Sequence, residues 1–111
     1  MKDTKQSNKS YYAVIFTSQL SQDTTDYSDV AEEMETLAKE QPGFIDVESV
    51  RDHSGFGITI SYWESLEAIK QWRENAAHTI ARQRGREQWY EQFHMRICLV
   101  EKEYDFHRKG L

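Results

Sequence analysis

Two stretches of this chain look like strands but are apolar at consecutive rather than alternate positions: YAVIF at Tyr12–Phe16 and MRICLV at Met95–Val100. Side chains along a β-strand point alternately to its two faces. The second stretch therefore puts Met95, Ile97 and Leu99 on one face and Cys98 and Val100 on the other. A strand apolar on both faces is normally covered on both faces. Whatever fold these residues adopt has to supply cover on each side of their sheet.

The rest of the chain shows what cover is available. Residues 11–21 are rich in aromatic and β-branched side chains and read as a first strand. Asp26 is placed to cap a helix in which Tyr27, Val30, Met34 and Leu37 recur at helical spacing, and Pro42 and Gly43 stop it. Residues 44–50 and 56–63 read as strands on either side of an RDHSG turn, with Phe56, Ile58, Ile60 and Tyr62 at period two. Ser65 caps a second helix that places Ile69, Trp72, Ala76 and Ile80 on one face. Gly85 ends that helix or begins a bend, REQWYEQ reads as a short helical turn, and residues 93–106 read as the closing strand. This predicts a single domain over 11–106, with a disordered arm at 1–10 and a tail at 107–111. The order β-α-β-β-α-β predicts an α+β, ferredoxin-like fold: four antiparallel strands with two helices on one face. Two helices leave the other face bare. A second copy of the same sheet is the simplest cover, so a homodimer through the sheet face is expected.

Composition narrows the function. The chain has 111 residues, with Lys plus Arg 14 and Asp plus Glu 19, for a formal net charge of −5. An acidic balance argues against nucleic acid as a partner, because such binding relies on a basic footprint. The opening MKDTKQSNKS has no apolar core for a secretory leader, and no apolar run is long enough to span a membrane. The expected location is the cytoplasm. The single cysteine, Cys98, has no internal disulfide partner and reads as a small buried hydrophobe. His53, His78, His94 and His107 lie far apart, without the tight spacing of a metal site, so no metal is expected. GFG at 55–57 sits in a hairpin and not before a helix, so it is no phosphate loop. Arg82, Arg84 and Arg86 form a basic patch, read as a solvated face or, alternatively, as a seat for an anion.

The element order, Pro42-Gly43-Phe44 before the second strand, Trp63-Glu64-Ser65 after the third, Trp72 nine residues beyond Trp63 and the closing RICLVEKEYDF together resemble the antibiotic biosynthesis monooxygenase superfamily of dimeric α/β-barrel proteins. The resemblance covers roughly 11–106 and is strongest to an uncharacterised branch. It implies two ferredoxin-like sheets packed face to face, with a cavity in each subunit between sheet and helices. It also implies one of several activities: oxidation of aromatic polyketides or quinols by O2 without a cofactor, haem degradation, or none known. Fold alone does not choose among these.

The resemblance singles out Trp72, Asn75 and His78. Trp72 matches the helix-two Trp of the cofactor-independent enzymes, and Asn75 and His78 follow within two turns. An oxygenase of this kind needs an aromatic-lined apolar site and a base that forms an electron-rich anion, and His is the usual base near neutral pH. On a continuous helix, however, Trp72 is simply core and His78 falls opposite Ile69, in solvent. A register change at Asn75 would turn His78 inward, and Asn75 itself reads either as a helix interrupter or as a ligand. The haem-degrading branch fits poorly. Arg82 stands where its iron-binding His would be, and FTSQ on the first strand lacks its Asn. The expectation is a cofactor-independent monooxygenase for a small aromatic or quinol-like molecule. The alternatives are a non-catalytic, ligand-binding or stress-linked barrel protein and, behind it, a haem-binding protein.

Overall fold

The computed structural model describes residues 4–7 and 10–109. In chain order the elements are β1 (Thr4–Ser7), β2 (Tyr11–Leu20), α1 (Tyr27–Lys39), β3 (Phe44–Arg51), β4 (Phe56–Trp63), α2 (Leu66–Glu74), α3 (Ala76–Arg84), a π-helical turn (Gly85–Trp89), β5 (Tyr90–Val100) and β6 (Glu103–Phe106). Strands β2 to β5 make one antiparallel sheet in the order β3-β4-β2-β5, which is the expected ferredoxin-like arrangement. Three expectations change in detail. The second helix is two helices, broken at Asn75. The closing strand is two strands, separated at Glu101–Lys102. Within the arm expected to be disordered, Thr4–Ser7 pairs antiparallel with Glu103–Phe106 as a separate ribbon. Residues 1–3 and 8–9 of that arm, and 110–111 of the tail, lie outside the described residues.

Local chemistry explains the boundaries. Ser65 accepts a hydrogen bond from the Ala68 N–H at 3.0 Å, the expected N-cap of α2. Asp26 stands at the start of α1 but does not cap it; its backbone takes φ 64°, and its carboxylate instead meets Arg84 at 2.8 Å. In the β3–β4 turn the Asp52 carboxylate accepts from Ser54 N, Ser54 Oγ and Phe56 N at 2.9, 2.7 and 3.1 Å. Gly43 ends the α1–β3 connection at φ 83°, and a Cβ there would come within 2.6 Å of the Ala68 Cβ. Both the left-handed backbone and the close approach of α2 require glycine at that position.

The core lies on one face of the sheet. Trp63, at 0% exposure, is surrounded by Ala38 of α1 and by Ala68 and Ile69 of α2, with Tyr12, Val14, Phe44 and Trp72 packed around them. Its indole N–H donates to Ser61 Oγ at 2.9 Å, so the buried polar atom is satisfied. At the other end of the same face Trp89 is buried, donates to the Thr25 carbonyl at 2.8 Å and meets Tyr27 edge-on. Trp63 and Trp89 therefore pin the two ends of the helical layer to the sheet.

Register decides what stays uncovered. Tyr12, Val14, Phe16 and Ser18 face the helices, so their β5 partners Leu99, Ile97, Met95 and Phe93 share that face. These four lie on the edge strand beyond the helices and remain 38–52% exposed. The opposite face carries Ala13, Ile15 and Thr17 from β2, with Tyr62, Ile60 and Ile58 paired to them on β4 and Cys98, Arg96 and His94 on β5. The two-sided apolar character of β2 and β5 is thus real, and α1 and α2 answer it on one side only.

Candidate functional site

The site grows from the interruption at Asn75. Its backbone, at φ −59° and ψ 131°, is extended rather than helical, so α2 stops there and α3 starts in a new phase. The Asn75 side chain drives the restart: Oδ1 accepts from the His78 N–H at 3.2 Å, which caps α3. The break also frees carbonyls at the end of α2. Side chains of α3 take them up. Trp72 O accepts from His78 Nδ1 at 3.0 Å and from the Asn75 N–H at 3.1 Å. Arg73 O accepts from Thr79 Oγ1 at 3.2 Å and from Arg82 Nη1 at 3.0 Å.

The new phase reverses the helical faces expected from a continuous helix. Ile80, expected in the core, is 69% exposed. His78, which a continuous helix would put in solvent, is half-buried and lies flat on Trp72, with ring centroids 4.1 Å apart and planes 10° from parallel. Trp72 in turn stacks on the core Trp63 at 6.2 Å and 24°. A continuous stack thus runs from the centre of the core to His78. Trp72, Asn75 and His78 are brought together, with Asn75 serving as the interrupter and cap.

This geometry sets the protonation of His78. A carbonyl can only accept, so the proton on the ring sits on Nδ1, and Nε2 carries the free lone pair. Burial pushes the imidazole below its ordinary pKa; the bond to the Trp72 carbonyl opposes that, and the charges of Arg82 and Arg73 reinforce it. His78 is therefore a neutral base near neutral pH.

Other parts of the molecule contribute less to this centre. Arg51, read as a turn residue from the sequence, ends β3. Its guanidinium donates to Ser18 O, Gly55 O, Ser18 Oγ and Tyr27 OH at 3.3, 2.6, 2.9 and 3.1 Å. It lies where a Cβ on Gly57 would be, at 2.5 Å, and a glycine inside a strand was the available signal of such close approach. On the uncovered sheet face Tyr11 and Tyr62 meet edge-on at 6.0 Å and donate to Glu103 and Glu48, each at 2.7 Å. Those carboxylates push both phenols up to about 12, so both stay protonated at neutral pH. With Ile45, Asp46 and Glu64 they line an open depression of ≈ 420 Å³. Among the described residues no group of three His, Cys, Asp or Glu side chains is placed to hold a metal ion, and no helix is long and apolar enough to cross a membrane.

The depressed His78 predicts the pH behaviour of the fold. Its folded pKa lies below the unfolded value, so the unfolded chain binds the proton first. The stability that depends on neutral His78 is complete above the ordinary imidazole value of about 6.5 and is lost as pH falls through the lowered folded value. His78→Gln lacks this dependence. In urea titrations the stability difference between wild type and His78→Gln should shift against the wild type as pH drops from about 8 to about 5. Parallel curves at all pH values would contradict it.

Comparison with known proteins agrees with this architecture. Residues 12–84 match the family model for antibiotic biosynthesis monooxygenase. The uncharacterised protein YqjZ of Bacillus subtilis is 48% identical over 93 residues, covering 84% of this chain and 82% of its own. The jasmonate monooxygenase of Pyricularia oryzae is 32% identical over 95 residues, covering 80% of this chain but only 43% of the fungal protein. Among solved structures, a Shewanella oneidensis protein superposes with a TM-score of 0.72 at 11% identity, over 88% of this chain and 97% of its own. SnoaB, a cofactor-independent oxygenase from Streptomyces nogalater, does so with 0.65 at 12% identity, over 81% and 90%. At such low identities these two structures speak to the fold alone. With the family match spanning most of the domain and a close relative matched along most of its length, this chain belongs to the antibiotic biosynthesis monooxygenase family.

Proposed function

We propose that this protein is a monooxygenase that oxidises a small aromatic or quinol-like molecule with O2 as its only oxidant. One observation carries the reading: a neutral imidazole, fixed by its Nδ1–H on a backbone carbonyl, stacks on Trp72 and keeps Nε2 free. The substrate ring lies beside this stack, over the exposed apolar strip of Met95, Ile97 and Leu99 on the same sheet face. Nε2 of His78 takes a phenolic or enolic proton, and the resulting anion is electron-rich enough to give an electron to O2. Recombination forms a C–O bond. Loss of a second proton from that carbon with O–O cleavage turns a ring CH2 into C=O and releases water, so R2CH2 + O2 gives R2CO + H2O. O2 supplies the inserted oxygen and accepts all the electrons, so the step as written needs no further reductant. A fungal relative carrying a monooxygenase name supports the reaction class.

The test is O2 uptake by purified protein with a panel of anthrones and quinols. His78→Ala should lower kcat/KM by about a hundredfold, the low end for a lost general base. Trp72→Phe should lower it about tenfold, corresponding to about 1.4 kcal/mol of stacking. Ligands that bind tightly and leave unaltered would replace the enzyme reading with that of a binding protein. Saturable haem binding with loss of haem absorbance would replace it with haem degradation.

The same proposal includes a homodimer closed through the uncovered sheet face. Ile15, Ile58, Ile60 and Cys98 lie on that face, where α1 and α2 do not reach. Burying it against its copy gives β2 and β5 their missing cover and forms the α/β barrel. Sedimentation should give a dimer for the wild type and a monomer for Ile60→Arg, which would force an unpaired charge into the interface. A monomeric wild type, or an unaffected variant, would contradict this.

A further inference from the structure

The strand register lines up one row of side chains across the whole uncovered face of the sheet. Glu48 of β3 is opposite Ile60 of β4, Ile60 is opposite Ile15 of β2, and Ile15 is opposite Arg96 of β5. Residues opposite one another in a ladder share a face. The row therefore runs acid, isoleucine, isoleucine, base from one edge strand to the other. Two contacts agree with this facing. Tyr62 donates to Oε1 of Glu48 at 2.7 Å, and Arg96 Nη2 meets Nδ1 of its same-face neighbour His94 at 3.4 Å. Among the described residues neither Glu48 nor Arg96 forms an ion pair. They cannot pair with each other, because three strand spacings, about 14 Å, separate them. A purely apolar cover on this face would bury both charges without partners, which is costly. The cover has to bring an acid to Arg96 and a base to Glu48.

A second copy of the chain does this in one orientation. Two sheets stacked in alignment about a two-fold axis in their interface have two arrangements. An axis across the strands lays β3 on β3 and β5 on β5. Glu48 and its same-face neighbour Asp46 then meet the same acids of the partner, and Arg96 meets the partner's Arg96. An axis along the strands, between Ile15 and Ile60, lays β3 of each copy on β5 of the other. Arg96 then stands over the partner's Glu48, and Ile15 over the partner's Ile60. Stacked sheets lie about 10 Å apart, a gap that a long basic and a long acidic side chain close together. A rotation of about 30° between the sheets shifts the edge residues by roughly 4 Å, less than the roughly 6.8 Å between same-face neighbours on a strand.

We infer that the partner on this face is a second copy turned about an axis along the strands, with Arg96 of each copy paired to the partner's Glu48. The inference rests on the homodimer proposed above and fixes its orientation. A two-fold interface repeats every contact, so each dimer holds the pair twice. The charges select the orientation, while the isoleucines between them supply the apolar contact.

Sedimentation equilibrium measures the dimer Kd of the wild type, of Arg96→Glu, of Glu48→Arg and of the variant carrying both substitutions. Both positions are exposed in the single chain, so its folding does not depend on them. Each single substitution sets like charges against each other at both pairs and should raise Kd at least about thirtyfold. The double variant restores opposite charges with their places exchanged and should return Kd to within about threefold of the wild type. An equal mixture of the two single variants should dimerise where neither does alone, because each supplies the charge the other lacks. A wild-type dimer whose Kd neither single substitution changes, or a double variant no tighter than the singles, would overturn the orientation while leaving the dimer intact. A monomeric wild type would contradict the dimer itself and the inference with it.

Discussion

The stack of three rings, Trp63 on Trp72 on His78, ties the fold to the site. Its inner member is fully buried, so it is as rigid as the core around it. Its outer member is held by two further constraints, the bond from Nδ1 to the Trp72 carbonyl and the cap that Asn75 places on the His78 N–H. An imidazole held in this way has little freedom left, and its tautomer is set by its partners. The break at Asn75 leaves carbonyls without helical partners, and α3 returns His78, Thr79 and Arg82 to satisfy them. The interruption that would weaken an ordinary helix here builds the site.

The sheet imposes the second constraint. Its helical face is closed by α1 and α2 near β3, β4 and β2, while β5 at the edge stays open. This leaves apolar residues of β5 exposed on the helical face and a broad apolar surface on the other. The first suits a small ring-shaped ligand. The second suits a flat, self-complementary surface such as another sheet. The acidic depression around Tyr11 and Tyr62 lies on the second face, away from the base, and its phenols keep their protons at neutral pH.

Much of the fold is legible in the sequence because it rests on periodicity. Phe56, Ile58, Ile60 and Tyr62 mark β4 from end to end, and Ser65 caps α2 as expected. The candidate site is less legible because it depends on a change of phase. Counting at 100° per residue from Ile69 places Ile80 inside and His78 outside, and one extended residue at Asn75 reverses both. Nothing in the local composition distinguishes an Asn that merely lowers helix propensity from one that caps a new helix. Asp26 illustrates the same difficulty: it stands at a capping position, but the distant Arg84 claims its carboxylate. The extra ribbon of Thr4–Ser7 with Glu103–Phe106 escapes a sequence reading because short polar strands at opposite ends of a chain carry little pattern.

Everything at this site depends on His78 being held inward as a neutral imidazole with its proton on Nδ1 and its lone pair on Nε2. Nitrogen NMR of the histidine side chains, with His78 assigned from the His78→Gln variant, reads this directly. His78 should show a single persistent Nδ1–H tautomer at neutral pH, distinct from the averaged signals of exposed histidines. A proton on Nε2, or a ring that averages both tautomers as it would in water, would contradict it.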